Sequence, residues 1–188
     1  MTRGLVGAVL QGGRSSRMGT NKALVSLDGR ALRDHMRALL APLCERVVLV
    51  GGVDADVVDD PATAGDGPFA AVLSLLRSSA GERFLVVPTD MPALPPALLR
   101  ALIDHDDADD GGRDVAFAAR PLPLLVHRRS LSRIAAAYAA GERRVRALAE
   151  VVVDVPAPAV GVAVDVDSAF ANVNTPADLA ALAARWRH

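Results

Sequence analysis

Short, unbroken apolar runs recur along this chain, each followed by a stretch with helical spacing. LVGAVL (Leu5 to Leu10), RVVLVGG (Arg46 to Gly52) and RFLVVPTD (Arg83 to Asp90) carry no alternation of polar and apolar residues. A strand wetted on one face would alternate, so these runs imply strands buried on both faces, as in a parallel sheet covered by helices. Between them, Arg30 to Leu43 has apolar residues at helical spacing, DVVDD (Asp56 to Asp60) reads as a further strand, and a helix begins near Gly67-Pro68. Pro95 and Pro96 stand where a helix start tolerates them and open PPALLRALIDH. DVAFAAR, LPLLVHR and VVVDVP supply more strands, with helices expected at Ser130 to Ala140, Arg143 to Glu150 and Pro176 to Arg187. The order predicts an α/β fold with a doubly wound, mostly parallel sheet. A length of 188 residues, 51% hydrophobic content and the lack of a long linker or fixed-period repeat make residues 1–188 a single expected domain.

Several classes drop out. A net charge of −1 gives no general electrostatic pull toward nucleic acid or an anionic membrane. The lone Cys44 excludes an intramolecular disulfide and a multi-cysteine zinc site, and His35, His105, His127 and His188 are scattered. After about seven apolar residues the N-terminus runs into QGGRSSR, too short for a signal-peptide core, and no apolar segment approaches a membrane span. The expected location is the cytoplasm. The acidic stretch Asp104 to Asp114 fails as a calcium loop: with Gly111 at the sixth position, Ala108 takes the third and Phe117 the twelfth. It reads as a solvated surface loop.

Ligands in open α/β sheets bind at the carboxyl ends of the strands, and three segments reach that edge. The first is LQGGRSSRMGTNKAL (Leu10 to Leu24), where Gly12 and Gly13 let phosphates approach bare peptide N–H groups. Arg14, Arg17 and Lys22 add positive charge there, and Lys22 is the only lysine among 21 basic residues. A compact, rotatable ammonium suits a site crowded with phosphate oxygens better than a planar guanidinium does. The loop is neither a Walker loop, since Ala23 stands where Ser or Thr would bind magnesium, nor a GxGxxG motif. The second segment is PTDMP (Pro88 to Pro92), whose Asp90 suits either a Mg²⁺ ligand or a turn. The third, DDPATAGDGPFAAV (Asp59 to Val72), either joins the same site through Asp60 and the helix start or only solvates a loop.

LQGGRSSRMGTNKAL resembles the signature of the small nucleotidyltransferases related to molybdenum cofactor guanylyltransferase, as do the GP helix start, DMP, AAGERRV (Ala139 to Val145) and FANVNTPADL (Phe170 to Leu179). The likeness covers nearly the whole chain in order. It implies a Rossmann-like nucleotidyltransferase fold and transfer of GMP from GTP to the terminal phosphate of molybdopterin or the molybdenum cofactor, with Mg²⁺ as cofactor and transient contact with molybdoenzymes or their chaperones. Carried over, Leu10, Gln11, Gly12 and Gly13 would hold guanine and ribose. Lys22 would contact phosphate, Asp60 would lie in the nucleotide pocket, Asp90 would bind magnesium, and Asn172 and Asn174 would lie on the pterin side. The chain departs from the family pattern at Gln11 (usually Ala), Asn21 (usually Asp), Thr89 (usually Cys or similar) and Val50 or Gly51, where some members have an Asn.

The acceptor phosphate monoester is largely dianionic at neutral pH, so no side-chain general base is needed. Alignment and charge neutralisation remain, and fall to Lys22 and Asp90, with Arg17 on the leaving pyrophosphate. The alternatives are a CTP-dependent molybdopterin cytidylyltransferase, a nucleotidyltransferase for a sugar or polyol phosphate, and a non-catalytic nucleotide-binding protein.

Overall fold

A computed structural model describes residues 2–11, 22–109, 113–118, 120–154 and 166–186. The three continuous apolar runs form adjacent strands: β1 (Thr2–Leu10) lies between β4 (Cys44–Val50) and β5 (Arg83–Pro88), parallel to both. The sheet continues through β7 (Leu124–His127), β6 (Val115–Phe117) and β8 (Val151–Val153), in the order β4-β1-β5-β7-β6-β8. Only β7 runs against its neighbours, so the sheet is mixed but mostly parallel, as expected. A separate two-stranded ribbon, β2 (Ser26–Leu27) with β3 (Arg30–Ala31), precedes α1 (Leu32–Leu40).

Successive residues of β1 feed opposite faces of the sheet, as strand geometry requires. Leu5 and Val9 pack with Met36 and Leu40 of α1 and with Leu98, Leu99, Leu102 and Ile103 of α3 (Pro96–Ala108). Val6, Ala8 and Leu10 pack with Phe69, Val72 and Leu76 of α2 (Pro68–Arg77) in the cluster that includes Ile134 of α4 (Leu131–Ala139). A third, smaller cluster joins Leu27 and Leu32 to Val173 and to Leu182 of the C-terminal helix, α6 (Pro176–Trp186), which follows the short α5 (Val166–Ala169). Gly7 is what lets α1 sit so close to β1: a β-carbon there would lie 3.0 Å from Leu40 Cδ1 and 3.2 Å from Cys44 Sγ.

Three expectations need correction. Asp56 to Asp60 is not a strand, for only Val57 bridges to Val50, and Asp56 instead turns its carboxylate onto the Leu49 N–H at 2.7 Å. Arg143 to Glu150 holds just a 3-10 turn, Val145–Leu148, with extended backbone at Arg144 before it and at Ala149 after it. The acidic stretch is not all solvated. Asp106, on α3, and Asp114, ahead of β6, are buried at the amino-terminal edge of the sheet.

His127 lies 3.3 Å from each of these two carboxylates, while Arg83 pairs with Asp106 and Arg133 with Asp114, both at 2.5 Å. Burial alone would lower the His127 pKa, but the hydrogen bonds to Asp106 and Asp114 outweigh it and push it up to about 9 from 6.5. Burial likewise works to raise Asp114, yet hydrogen bonds from His127, Ser130 and Arg133 hold it below the usual carboxylate range.

Two outcomes follow. Gly7→Val is expected to cost about 1–3 kcal/mol in urea unfolding, because the added carbons must displace Leu40. A raised folded-state pKa at His127 contributes stability that is complete below the unfolded value of 6.5 and fades as pH rises through about 9. Asp114 has the opposite sign: its contribution is complete above the unfolded value of 3.8 and is lost as pH falls through the lowered folded-state value. The stability gap between the wild type and His127→Gln, measured by urea unfolding, is therefore expected to be widest near about pH 6 and to narrow toward about pH 9.5.

Candidate active site

The C-terminal ends of β1 and β5 lie side by side, with Leu10 paired to Pro88. Beyond that pair the Leu10 carbonyl accepts hydrogen bonds from both the Thr89 N–H (3.1 Å) and the Thr89 hydroxyl (2.7 Å). Thr89 is buried, so this pair of hydrogen bonds fixes the start of the turn that presents Asp90. A pocket of about 360 Å³ opens here, lined by Leu10, Gln11, Lys22, Thr89, Asp90, Met91 and Asn172. Pro68 at the start of α2 also lines it, as do Arg120, Pro121 and Leu122 ahead of β7 and Val145 of the 3-10 turn.

Lys22 and Asp90 meet within it. The Lys22 ammonium is 3.3 Å from Asp90 Oδ2 and 2.5 Å from Asn174 Oδ1, so residues far apart in sequence converge on one cation. Both charged side chains are only partly exposed, 19% and 24%. Asn174 belongs to a segment tied down from two directions. The Val173 N–H donates to the Asp90 carbonyl at 2.8 Å. The Asn174 and Thr175 N–H groups donate to Asp178, whose own N–H donates to the Thr175 hydroxyl, a reciprocal cap on α6. The bonds from Asn174 and Thr175 hold the Asp178 carboxyl below its ordinary value.

Gln11, the departure from the usual Ala, is almost fully buried, and its amide donates to the carbonyls of Gly51 (2.9 Å) and Val53 (3.1 Å). It thereby ties the β1 end to the loop after β4. Gly51 and Gly52 in that loop have φ of +67° and +72°, and the Asp59 carboxylate packs so tightly on Gly51 that a β-carbon would lie 2.6 Å from Asp59 Oδ2. Burial raises the Asp59 pKa.

Of the expected site residues, Leu10, Gln11, Lys22, Asp90 and Asn172 line one pocket, and Asn174 reaches it through Lys22. Asp60 is not brought there: its carboxylate pairs with Arg77 at 2.8 Å in a separate depression lined by Asp56, Ser74 and Arg77. Gly12, Gly13 and Arg17 lie outside the described residues. Thr89, Arg120 and Val145 were not predicted as site residues. Thr89 follows the β5 run directly, but nothing local in the sequence brings the loop around Arg120 or the 3-10 turn to this edge.

The family described as "MobA-like NTP transferase domain" matches residues 7–159. The chain belongs to the MobA-like NTP transferase family. A molybdenum cofactor guanylyltransferase of Rhodobacter capsulatus is 35% identical over 196 residues, covering 97% of each chain. One from Xanthomonas euvesicatoria pv. vesicatoria is 35% identical over 183 residues, covering 94% of this chain and 93% of its own. Among solved structures, molybdopterin-guanine dinucleotide biosynthesis protein A of Archaeoglobus fulgidus superposes with a TM-score of 0.71 at 22% identity, covering 97% of this chain and 98% of its own. That likeness establishes the MobA-like fold. Gln11→Ala is expected to remove the Gly51 carbonyl's bond from the Gln11 amide, leave the Val53 carbonyl with Arg33 as its donor, and lower the unfolding free energy by about 1–3 kcal/mol, checked by urea denaturation.

Proposed function

We propose that this member of the MobA-like family transfers GMP from GTP to the terminal phosphate of molybdopterin or the molybdenum cofactor, forming the guanine dinucleotide and releasing pyrophosphate. The observation that carries the reading is the meeting of Lys22 and Asp90 in a pocket at the β1 and β5 termini. Support for the substrate pair comes from relatives of the same length that bear the name molybdenum cofactor guanylyltransferase.

Pocket chemistry and reaction match. An acceptor phosphate oxygen attacks the α-phosphorus, a new P–O bond forms, the bond to the bridging oxygen of pyrophosphate breaks, and no proton has to move. The dianionic acceptor is its own nucleophile, consistent with a pocket lining that has no His or Cys among the described residues. Lys22 supplies the compact charge that neutralises crowded phosphate oxygens, with Arg17 assigned to the departing pyrophosphate and Gly12 and Gly13 to the nucleotide backbone contacts. Arg120, on the pocket wall with Pro121 and Leu122, is suited to the anionic acceptor, as is Asn172.

Among the described residues no three His, Cys, Asp or Glu side chains gather as a ready-made metal cage. Mg²⁺ ordinarily takes one or two carboxylates together with substrate phosphates and water, so the single Asp90 carboxylate at the pocket fits that ion when nucleotide is present. Bound there, magnesium would supply charge neutralisation across the phosphates. The location inferred from the reading is the cell interior. Among the described residues no helix is long and apolar enough to cross a membrane.

The test is pyrophosphate release with each of GTP, CTP, ATP and UTP, Mg²⁺ and molybdopterin or a sugar phosphate. GTP with molybdopterin is expected to dominate, and preference for CTP or for a sugar phosphate would overturn the assignment. Asp90→Asn and Lys22→Arg are each expected to reduce turnover by about 10²-fold or more, the second despite its retained charge.

A further inference from the structure

Lys22 is held by two unlike partners. Asp90 is an anion that a phosphate will compete against, whereas Asn174 is neutral, so it can hold the ammonium without cancelling its charge. The shorter contact is to Asn174, 2.5 Å against 3.3 Å. Asn174 is itself anchored, through the Asp178 carboxylate on its own N–H and on that of Thr175. Its neighbour Val173 is 3% exposed, packed in the cluster of Leu27, Leu32 and Leu182, and bonded to the Asp90 carbonyl. Asn172 lines the pocket while the Asn174 carboxamide is turned onto Lys22, so the two asparagines of NVN do different things.

We propose that Asn174 is a positioning residue for Lys22 and not a ligand of the acceptor: its carboxamide oxygen is a fixed pivot that keeps the ammonium in the pocket while Lys22 exchanges Asp90 for phosphate oxygens. The inference rests on the nucleotidyl-transfer reading for its catalytic consequence, though not for the contact itself. A lysine is a point charge on a flexible four-carbon stem. Without a second, neutral partner it would follow whichever anion is nearest. With Asn174 in place the swing from carboxylate to phosphate is short, and the residue fixing its centre lies on the segment that reaches the pocket beside the β5 turn.

Because the chain has one lysine, selective ¹⁵N labelling of lysine side chains yields a single Nζ signal. Asn174→Ala, which keeps the backbone bonds to Asp178, is expected to shift that signal and increase the mobility it reports, with the thermal midpoint little changed. An Nζ signal indifferent to the substitution overturns the proposal, whether or not the protein turns over. In pyrophosphate release, Asn174→Ala is expected to lower kcat about tenfold and leave the KM for molybdopterin within about twofold; added to Lys22→Ala it should cost almost nothing further. Asn174→Asp, which keeps an oxygen at the pivot, is expected to preserve the ordered Nζ signal. A raised molybdopterin KM with unchanged kcat, or fully multiplicative effects of the two alanine substitutions, would return Asn174 to the acceptor. A perturbed Nζ signal in a protein that releases pyrophosphate from no nucleotide would leave the pivot standing and remove the transferase reading instead.

Discussion

The Leu10 carbonyl, with two hydrogen bonds from Thr89, is the joint on which the site depends. Parallel pairing sets β1 beside β5, but pairing alone ends at Leu10 and Pro88. The Thr89 hydroxyl extends the registry one residue further, so that the chain turning away at Asp90 does so at a defined distance from the end of β1. Everything polar in the pocket then has a fixed reference. Gln11 anchors the β4 loop on one side of β1, and the Asp90 carbonyl anchors Val173 on the other. Three loops that a parallel sheet would leave independent are thus fastened to one edge, as the proposed alignment of two phosphates requires.

Much of this was legible in the sequence because it depends on local pattern. Continuous apolar runs marked β1, β4 and β5, since strands buried on both faces cannot alternate. Proline pairs and the GP step marked the starts of α3 and α2. The DMP aspartate and the sole lysine were readable as chemistry because each followed a strand or a glycine pair at the carboxyl edge. What escaped was non-local. DVVDD has β-branched residues between acids, and only contact with β4 could decide that Val57 alone would bridge. The carboxylates Asp106 and Asp114 look solvated in a run of acids. Their burial depends on Arg83, His127 and Arg133, which arrive from β5, β7 and α4. Likewise NTPAD reads as a helix cap from its own letters, yet nothing in them points to Lys22, 152 positions away.

The two edges of the sheet treat charge in opposite ways. At the amino-terminal edge, Asp106 and Asp114 have side chains 4% and 0% exposed and are each held by a histidine and an arginine. Burial of that depth is tolerated by pairing each carboxylate with cations, and removing one partner leaves the other charge uncompensated. That edge is therefore locked, and it pins α3, β6, β7 and α4 to one another. At the carboxyl-terminal edge, Lys22 and Asp90 remain partly wetted and their separation is a loose 3.3 Å. A pair of that kind contributes on the order of 0–1 kcal/mol, so it can be opened by an incoming phosphate at little cost. Rigidity at one end and exchangeability at the other follow from burial alone. The fold leaves the charges of the candidate site where solvent still reaches them and puts the structural carboxylates where it does not.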